Sequence, residues 1–212
     1  MKNKEKVIII GSGGHAKIIL DIIELENKYE IFGVVTNDKI ENFYGYKVLG
    51  NDQILHEVKE SGIWNVAIGI GGFTDNLLRE RIFNKMIYLG FNVVNAIHPS
   101  AIISKTAELG KGVVLFAGVI INSEVKIFDN CIVATGSSID HETTIENHCL
   151  ISAGVTIGAN VLIRKNVLCA LGVKVISQIE IGEEILIGAG AVVVKSIYEK
   201  GCYLGVPARK II

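Results

Sequence analysis

Residues 113–157 read VVLFAGVIINSEVKIFDNCIVATGSSIDHETTIENHCLISAGVTI, and every sixth position is aliphatic: Leu115, Ile121, Ile127, Val133, Ile139, Ile145, Ile151 and Ile157. The beat runs unbroken from Ile97 to Val193, with Cys169 as its single non-aliphatic member. Four places after each beat comes a small or β-branched residue, from Ala101 through Ser137 and Thr143 to Ile197. No α-helix has this period. Six residues make a strand and a corner, with one large and one small side chain turned into a narrow interior, and stacked units bury what none could bury alone. The corners agree: Gly112, Gly118, Asn130, Gly136, Gly154, Asn160, Asn166, Gly172 and Gly190 share one phase, where a positive φ is cheapest for Gly or Asn. Three hexads close one triangular coil, so residues eighteen apart stack at the strand spacing of about 4.8 Å. By that ruler Ala159 and Ser177 lie one and two rungs from His141, while Leu171 and Ala189 form a neighbouring column.

The repeat begins near residue 96 of a 212-residue chain, which predicts two domains, 1–95 and 96–212. Lys and Arg number 21 against 22 Asp and Glu, without charged blocks, so a nucleic-acid surface or polybasic membrane patch is not expected. No apolar run approaches the roughly 20 residues of a bilayer span, and Met1–Lys6 leads straight into a strand, so we expect a soluble cytoplasmic protein. Cys131, Cys149 and Cys169 occupy inward phases and read as small core hydrophobes in a reducing compartment. No C-x₂-C or other metal-ligand spacing occurs, and no metal is expected.

In the first 95 residues, Val7–Ile10 reads as a strand buried on both faces, followed by Gly11-Ser12-Gly13-Gly14-His15-Ala16 and a helical pattern. Strand, glycine turn and helix N-terminus place backbone N–H groups where a phosphate can sit, and the pattern fits G-x-G-x-x-[GA]. A tight turn with no ligand explains it too. Ile31–Val35 reads as a second strand ending at Thr36-Asn37-Asp38, near where a ribose hydroxyl meets an acid in dinucleotide folds. A strand at 45–49, a helix at 52–60, a strand at 64–70, a helix at about 75–89 and a last strand at 91–94 complete alternating units that predict a parallel sheet. After Ile197 the chain is expected to leave the repeat, with Gly205-Val206-Pro207-Ala208-Arg209-Lys210 as a rigid turn and two cations.

One corner carries distinctive chemistry. Asp140-His141-Glu142 sets an imidazole between two carboxylates, the usual makings of a general base near neutral pH. On residue chemistry alone a solvated corner histidine is the simpler reading, and His148 in the next hexad competes for any role. Phe116 and Phe128 read as corner aromatics too large for exposure, and we expect them to pack at contacts.

Taken in order, the glycine loop, Ile68-Gly69 with Leu78-Arg79, His98-Pro99-Ser100-Ala101, Ile139-Asp140-His141-Glu142 and Gly205-Val206-Pro207-Ala208 resemble the sugar-nucleotide acetyltransferases of the PglD/NeuD family over essentially the whole chain. The resemblance implies an α/β Rossmann-like N-terminal domain holding a UDP-sugar, then an all-β left-handed parallel β-helix. It also implies a homotrimer with the active site at the subunit interface and acetyl-CoA as donor. The implied reaction is N-acetylation of a UDP-linked amino-deoxy sugar for bacterial surface glycans, with O-acetylation of sialic acid or another sugar hydroxyl as the alternative. Position by position, His141 matches the general base and Glu142 its orienting carboxylate; Gly13, Gly14 and His15 match the phosphate-side loop. Asn37, Asp38 and Gly69 fall at nucleotide contacts, and Ala159, Leu171 and Ala189 at acetyl-CoA contacts that are largely main chain. Asn37 stands where the family has an acid, and Leu150 where many members have a second histidine. A sugar amine needs only proton removal and placement at the thioester, so direct transfer without an acyl-enzyme is expected. Readings from other classes are a nicotinamide oxidoreductase, which would use the glycine loop, and a purely structural solenoid, which would leave that loop idle.

Overall fold

A computed structural model describes residues 4–72 and 75–211. The chain divides into two compact units: one comprises the residues up to Gly71 together with Leu78–Pro99, the other Gly72–Leu77 together with the chain from Ser100 onward.

In the first unit, β1 (Glu5–Ile10), α1 (Gly14–Glu26), β2 (Tyr29–Val35), β3 (Asn42–Phe43), β4 (Tyr46–Gly50), α2 (Leu55–Glu60), β5 (Asn65–Ile68), α3 (Leu77–Tyr88) and β6 (Asn92–Val93) follow in order. They form a six-stranded sheet of order β3-β4-β2-β1-β5-β6, parallel except for the β3-β4 hairpin. Val7, Ile8 and Ile9 are fully buried, as a central strand covered on both faces requires. Ile8, Ile10, Val35, Leu55, Val58, Val66, Ile68, Phe83 and Met86 meet in one core, so α2 and α3 cover the same face. The expected helix at 52–60 splits into a 3₁₀ turn, Asp52–Ile54, and α2. Asn51 caps that turn by accepting the Gln53 N–H, and the tighter i+3 pitch is common at helix starts. α1 ends where Asn27 turns left-handed at φ 56 and its N–H donates to the Ile23 carbonyl.

The second unit is a left-handed parallel β-helix. Each rung contributes a two-residue strand to each of three faces, and partners are eighteen residues apart: Ile121 on Ile139, Ile139 on Ile157, Ile127 on Ile145, Val133 on Ile151. The beat residues from Leu115 to Val193 are buried, including Cys169, and so are Cys131 and Cys149. Every sixth residue from Gly112 to Gly190 has a positive φ. Here the structure corrects a sequence expectation, because Glu124, Glu142, His148, Gln178 and Glu184 share the conformation with the glycines and asparagines, at φ between 56 and 62. An L side chain there costs about 1–2 kcal/mol, which the stacked ladder on either side imposes.

Further expectations are refined. Phe116 is buried, as an aromatic too large for exposure should be, whereas Phe128 is 43% exposed in the single chain. The chain after Ile197 drops the six-residue beat without leaving the sheet: Gly201–Leu204 pairs in parallel with Ile185–Ile187, then turns antiparallel through Arg209–Lys210. Finally, Asn76, expected within the third helix, packs on the coil, where its buried amide donates to the His148 carbonyl at 2.8 Å.

Candidate active site

The coil corner at Asp140-His141-Glu142 borders a cleft of about 310 Å³ lined also by Asn122, Ser123 and Glu124. His141 Nδ1 lies 3.0 Å from Glu142 Oε2, with both side chains about half exposed. A carboxylate accepts, so Nδ1 carries the proton and Nε2 presents its lone pair outward. This is the tautomer that a base with an orienting carboxylate requires. Glu142 reaches its place through the left-handed corner conformation at φ 59, with its N–H donating to the Ser123 carbonyl one coil below. On the other side of the imidazole, Asp140 Oδ1 accepts the His141 backbone N–H at 2.8 Å and the Asn122 Nδ2–H at 3.0 Å. These bonds, the backbone one first, hold the Asp140 carboxyl below the ordinary carboxylate range, so it stays an anion beside the imidazole.

The ruler of eighteen places Ala159 over His141, with the Asn160 N–H donating to the His141 carbonyl at 2.9 Å. Leu171 and Ala189 stack on a different corner of the triangle, where the Gly190 N–H donates to the Leu171 carbonyl; Leu171 is 61% exposed. One chain therefore brings Ala159 to the imidazole and leaves Leu171 and Ala189 elsewhere. His148 is only 5% exposed, with Nδ1 at 2.9 Å from Asn130 Nδ2 in the column below, so it does not share the open position of His141. Leu150, in the place of the second histidine, is buried too. Asn122 and Glu124 escaped the sequence reading, although the ruler run downward from Asp140 and Glu142 marks both.

The first unit holds a separate set of candidates at the carboxyl ends of its strands. Gly11 needs its glycine, with φ at +100 and an added Cβ 2.5 Å from Ile70 Cδ1. Gly13 and Gly14 do not: neither has a left-handed φ, and an added Cβ would meet nothing within 4 Å. Two glycines without an internal reason, at a helix start with no acidic residue in its first turn, leave the backbone N–H groups open to an anion. Ser12 ties this loop to the end of β2, bonding Thr36 Oγ1 at 2.7 Å and the Asp38 carboxylate. Asn37 and Asp38 line a cleft of about 660 Å³ with Lys47 and Asn51. Gly69 has a packing reason of its own, since a Cβ would sit 2.7 Å from that of Ala16 and prevent α1 from lying on β5. His15 is half-buried. Burial, reinforced by the Arg79 guanidinium 3.5 Å away, lowers its pKa to about 3, so it meets any ligand as neutral imidazole. Arg79 is itself buried and donates to the Ile68 and Ile70 carbonyls that flank Gly69.

Residues 6–86 match the family described as PglD N-terminal domain. PerB from Caulobacter crescentus, solved with CoA and GDP-perosamine, is 33% identical, covers 97% of each chain and superposes with a TM-score of 0.90. Two structures of a perosamine N-acetyltransferase from the same organism, also with CoA and GDP-perosamine, replace a histidine by alanine or asparagine; each is 32% identical over 97% of this chain, with a TM-score of 0.91. The acetyltransferase domain of PglB from Neisseria gonorrhoeae FA1090, in complex with acetyl coenzyme A, is 26% identical over 99% of this chain and all of that one, with a TM-score of 0.89. UDP-N-acetylbacillosamine N-acetyltransferase of Bacillus subtilis is 32% identical over 122 residues; the match takes 55% of this chain and about half, 52%, of the relative's length. The chain belongs to the PglD/NeuD family of sugar-nucleotide acetyltransferases.

Proposed function

We propose that this protein transfers the acetyl group of acetyl-CoA to the amine of a UDP-linked amino-deoxy sugar, in the cytoplasm of a bacterium that builds surface glycans. The observation that carries the reading is the exposed His141 imidazole at the cleft, whose Nδ1–H is held by Glu142 at 3.0 Å, which leaves Nε2 to take a proton. The sugar amine attacks the thioester carbonyl, Nε2 takes the amine proton, and the thiolate of CoA leaves as the tetrahedral intermediate collapses. Glu142 steadies the imidazolium formed on the way, as an anion beside a cation does. Direct transfer is supported by the placement of the thiols: Cys131, Cys149 and Cys169 are buried inside the coil, where burial pushes Cys169 up to about 12 and Cys149 well above its usual range, and the partly exposed Cys202 lies beyond the repeat.

Nucleotide recognition falls to Gly13, Gly14 and His15 for the diphosphate and to Asn37 and Asp38 for the nucleoside, with Gly69 keeping α1 close to the sheet. Ala159, Leu171 and Ala189 offer main-chain contacts to the CoA arm. Because Leu171 and Ala189 sit on another corner, we assign the complete site to a homotrimer in which a neighbour's coil supplies them. Mixing the protein with acetyl-CoA and following free thiol tests the function. Release with a UDP-linked amino sugar is the expected result, release with a GDP-linked one alone would transfer the nucleoside assignment, and release only with hydroxyl acceptors would overturn N-acetylation.

A further inference from the structure

Among the described residues, the bonds that restrain the Asp140 side chain come from its own rung and from the rung below. Its Oδ1 takes the His141 backbone N–H and the Asn122 Nδ2–H, and a carboxylate can only accept, which fixes the asparagine amide with its nitrogen toward Asp140. Asn122 stands eighteen residues before Asp140 in a column that continues to Gly158. Gly158 has no side chain, and an added Cβ would lie 2.6 Å from Ser177 Oγ, so that position can offer Asp140 nothing from above. The next position down, Ser104, bonds Thr106 and Ser123 instead.

We propose that Asn122 is a positioning residue for acetyl transfer: by fixing Asp140 it fixes the His141 backbone N–H, and with it the direction in which the imidazole meets the acceptor. This rests on the reading of His141 as the base. Asn122 acts through Asp140, so removing it costs turnover while leaving the anchors of both substrates in place.

A double-mutant cycle in the full chain tests this, with thiol release as the readout and thermal melts to verify folding. Asn122→Ala is expected to lower kcat about 10-fold, with KM for acetyl-CoA and for the sugar nucleotide within about 2-fold of wild type. In an Asp140→Ala background the same change is expected to cost less than about 2-fold. Equal losses in the two backgrounds, an effect carried by KM, or no loss at all would overturn the proposal. If Asn122→Ala melts too early to assay, Asn122→Asp keeps the size and removes the donor; wild-type turnover in that variant would overturn the proposal equally. His141→Ala is run beside them. Full activity there defeats the base assignment itself, whereas an inactive His141→Ala with an unimpaired Asn122→Ala defeats only the role of Asn122.

Discussion

Two histidines in this chain have opposite environments, and each makes its own demand on pH. His15 is half-buried against Arg79 with a pKa of about 3, below the ordinary value of 6.5 that it regains on unfolding. Between those values the unfolded chain binds the proton and the folded one does not. The stability contributed by the neutral imidazole is therefore complete above pH 6.5 and is lost as pH falls, at a slope of up to about 1.4 kcal/mol per unit. Trp64, the one tryptophan in the sequence, lies in the first unit and reports its unfolding in urea. Wild type is expected to lose about 2 kcal/mol between pH 6.5 and 5, and His15→Gln to lose measurably less. Equal slopes would show that His15 titrates normally. At the open corner, Glu142→Gln keeps the shape and removes the charge; it is expected to lower kcat about 10-fold, less than loss of the imidazole. His148→Ala separates the two coil histidines, because it removes the buried bond to Asn130. It should cost about 1–3 kcal/mol of stability and leave turnover within about 3-fold. Abolished turnover in a stable His148→Ala protein would move the base to the next hexad.

Among the repeating elements, the left-handed corner is the unit that decides both shape and chemistry. Sequence showed the corner phase through its glycines and asparagines, since only for them does composition signal a positive φ. It could not show Glu142 or His148 in the same conformation, because there the ladder overrides local preference. Replacing Glu142 or Gln178 by glycine removes the Cβ clash and adds backbone entropy to the unfolded chain, for a net gain of about 0.5–1 kcal/mol. Both variants should melt later than wild type, and only Glu142→Gly should also lose turnover, the mark of strain retained for the carboxylate it places. If Glu142→Gly melts earlier, the corner is not strained.

Across the whole chain, the parts legible in sequence are those written as a period or a fixed order: the hexads, the eighteen-residue ruler, the βα alternation and the glycine loop. What escaped depends on single long-range contacts. Asn76 joins the coil through one bond to a carbonyl 72 residues away, and the strand Gly201–Leu204 pairs at an offset of sixteen that no longer shows the beat. Arg79 went unassigned because a buried guanidinium on a helix looks like any surface arginine until its carbonyl acceptors are seen. The coil also exposes two apolar pairs at opposite ends of one sheet, Ile102 with Ile120 and Ile176 with Val194, parted by Ser138 and Thr156, and a neighbouring coil would cover them in the proposed trimer. Light scattering at micromolar protein should give three times the 22.9 kDa chain mass, and a monomer would refute the shared site.

In the proposed reaction a single imidazole at the coil corner takes the acceptor's proton. That step is tested most directly by the rate of thiol release from acetyl-CoA with a UDP-linked amino sugar, measured for wild type and His141→Ala under saturation. In His141→Ala, kcat is expected to fall by about 10² to 10⁴, with the affinities for CoA and for the nucleotide nearly unchanged. A His141→Ala enzyme that keeps its kcat would contradict that role of the imidazole.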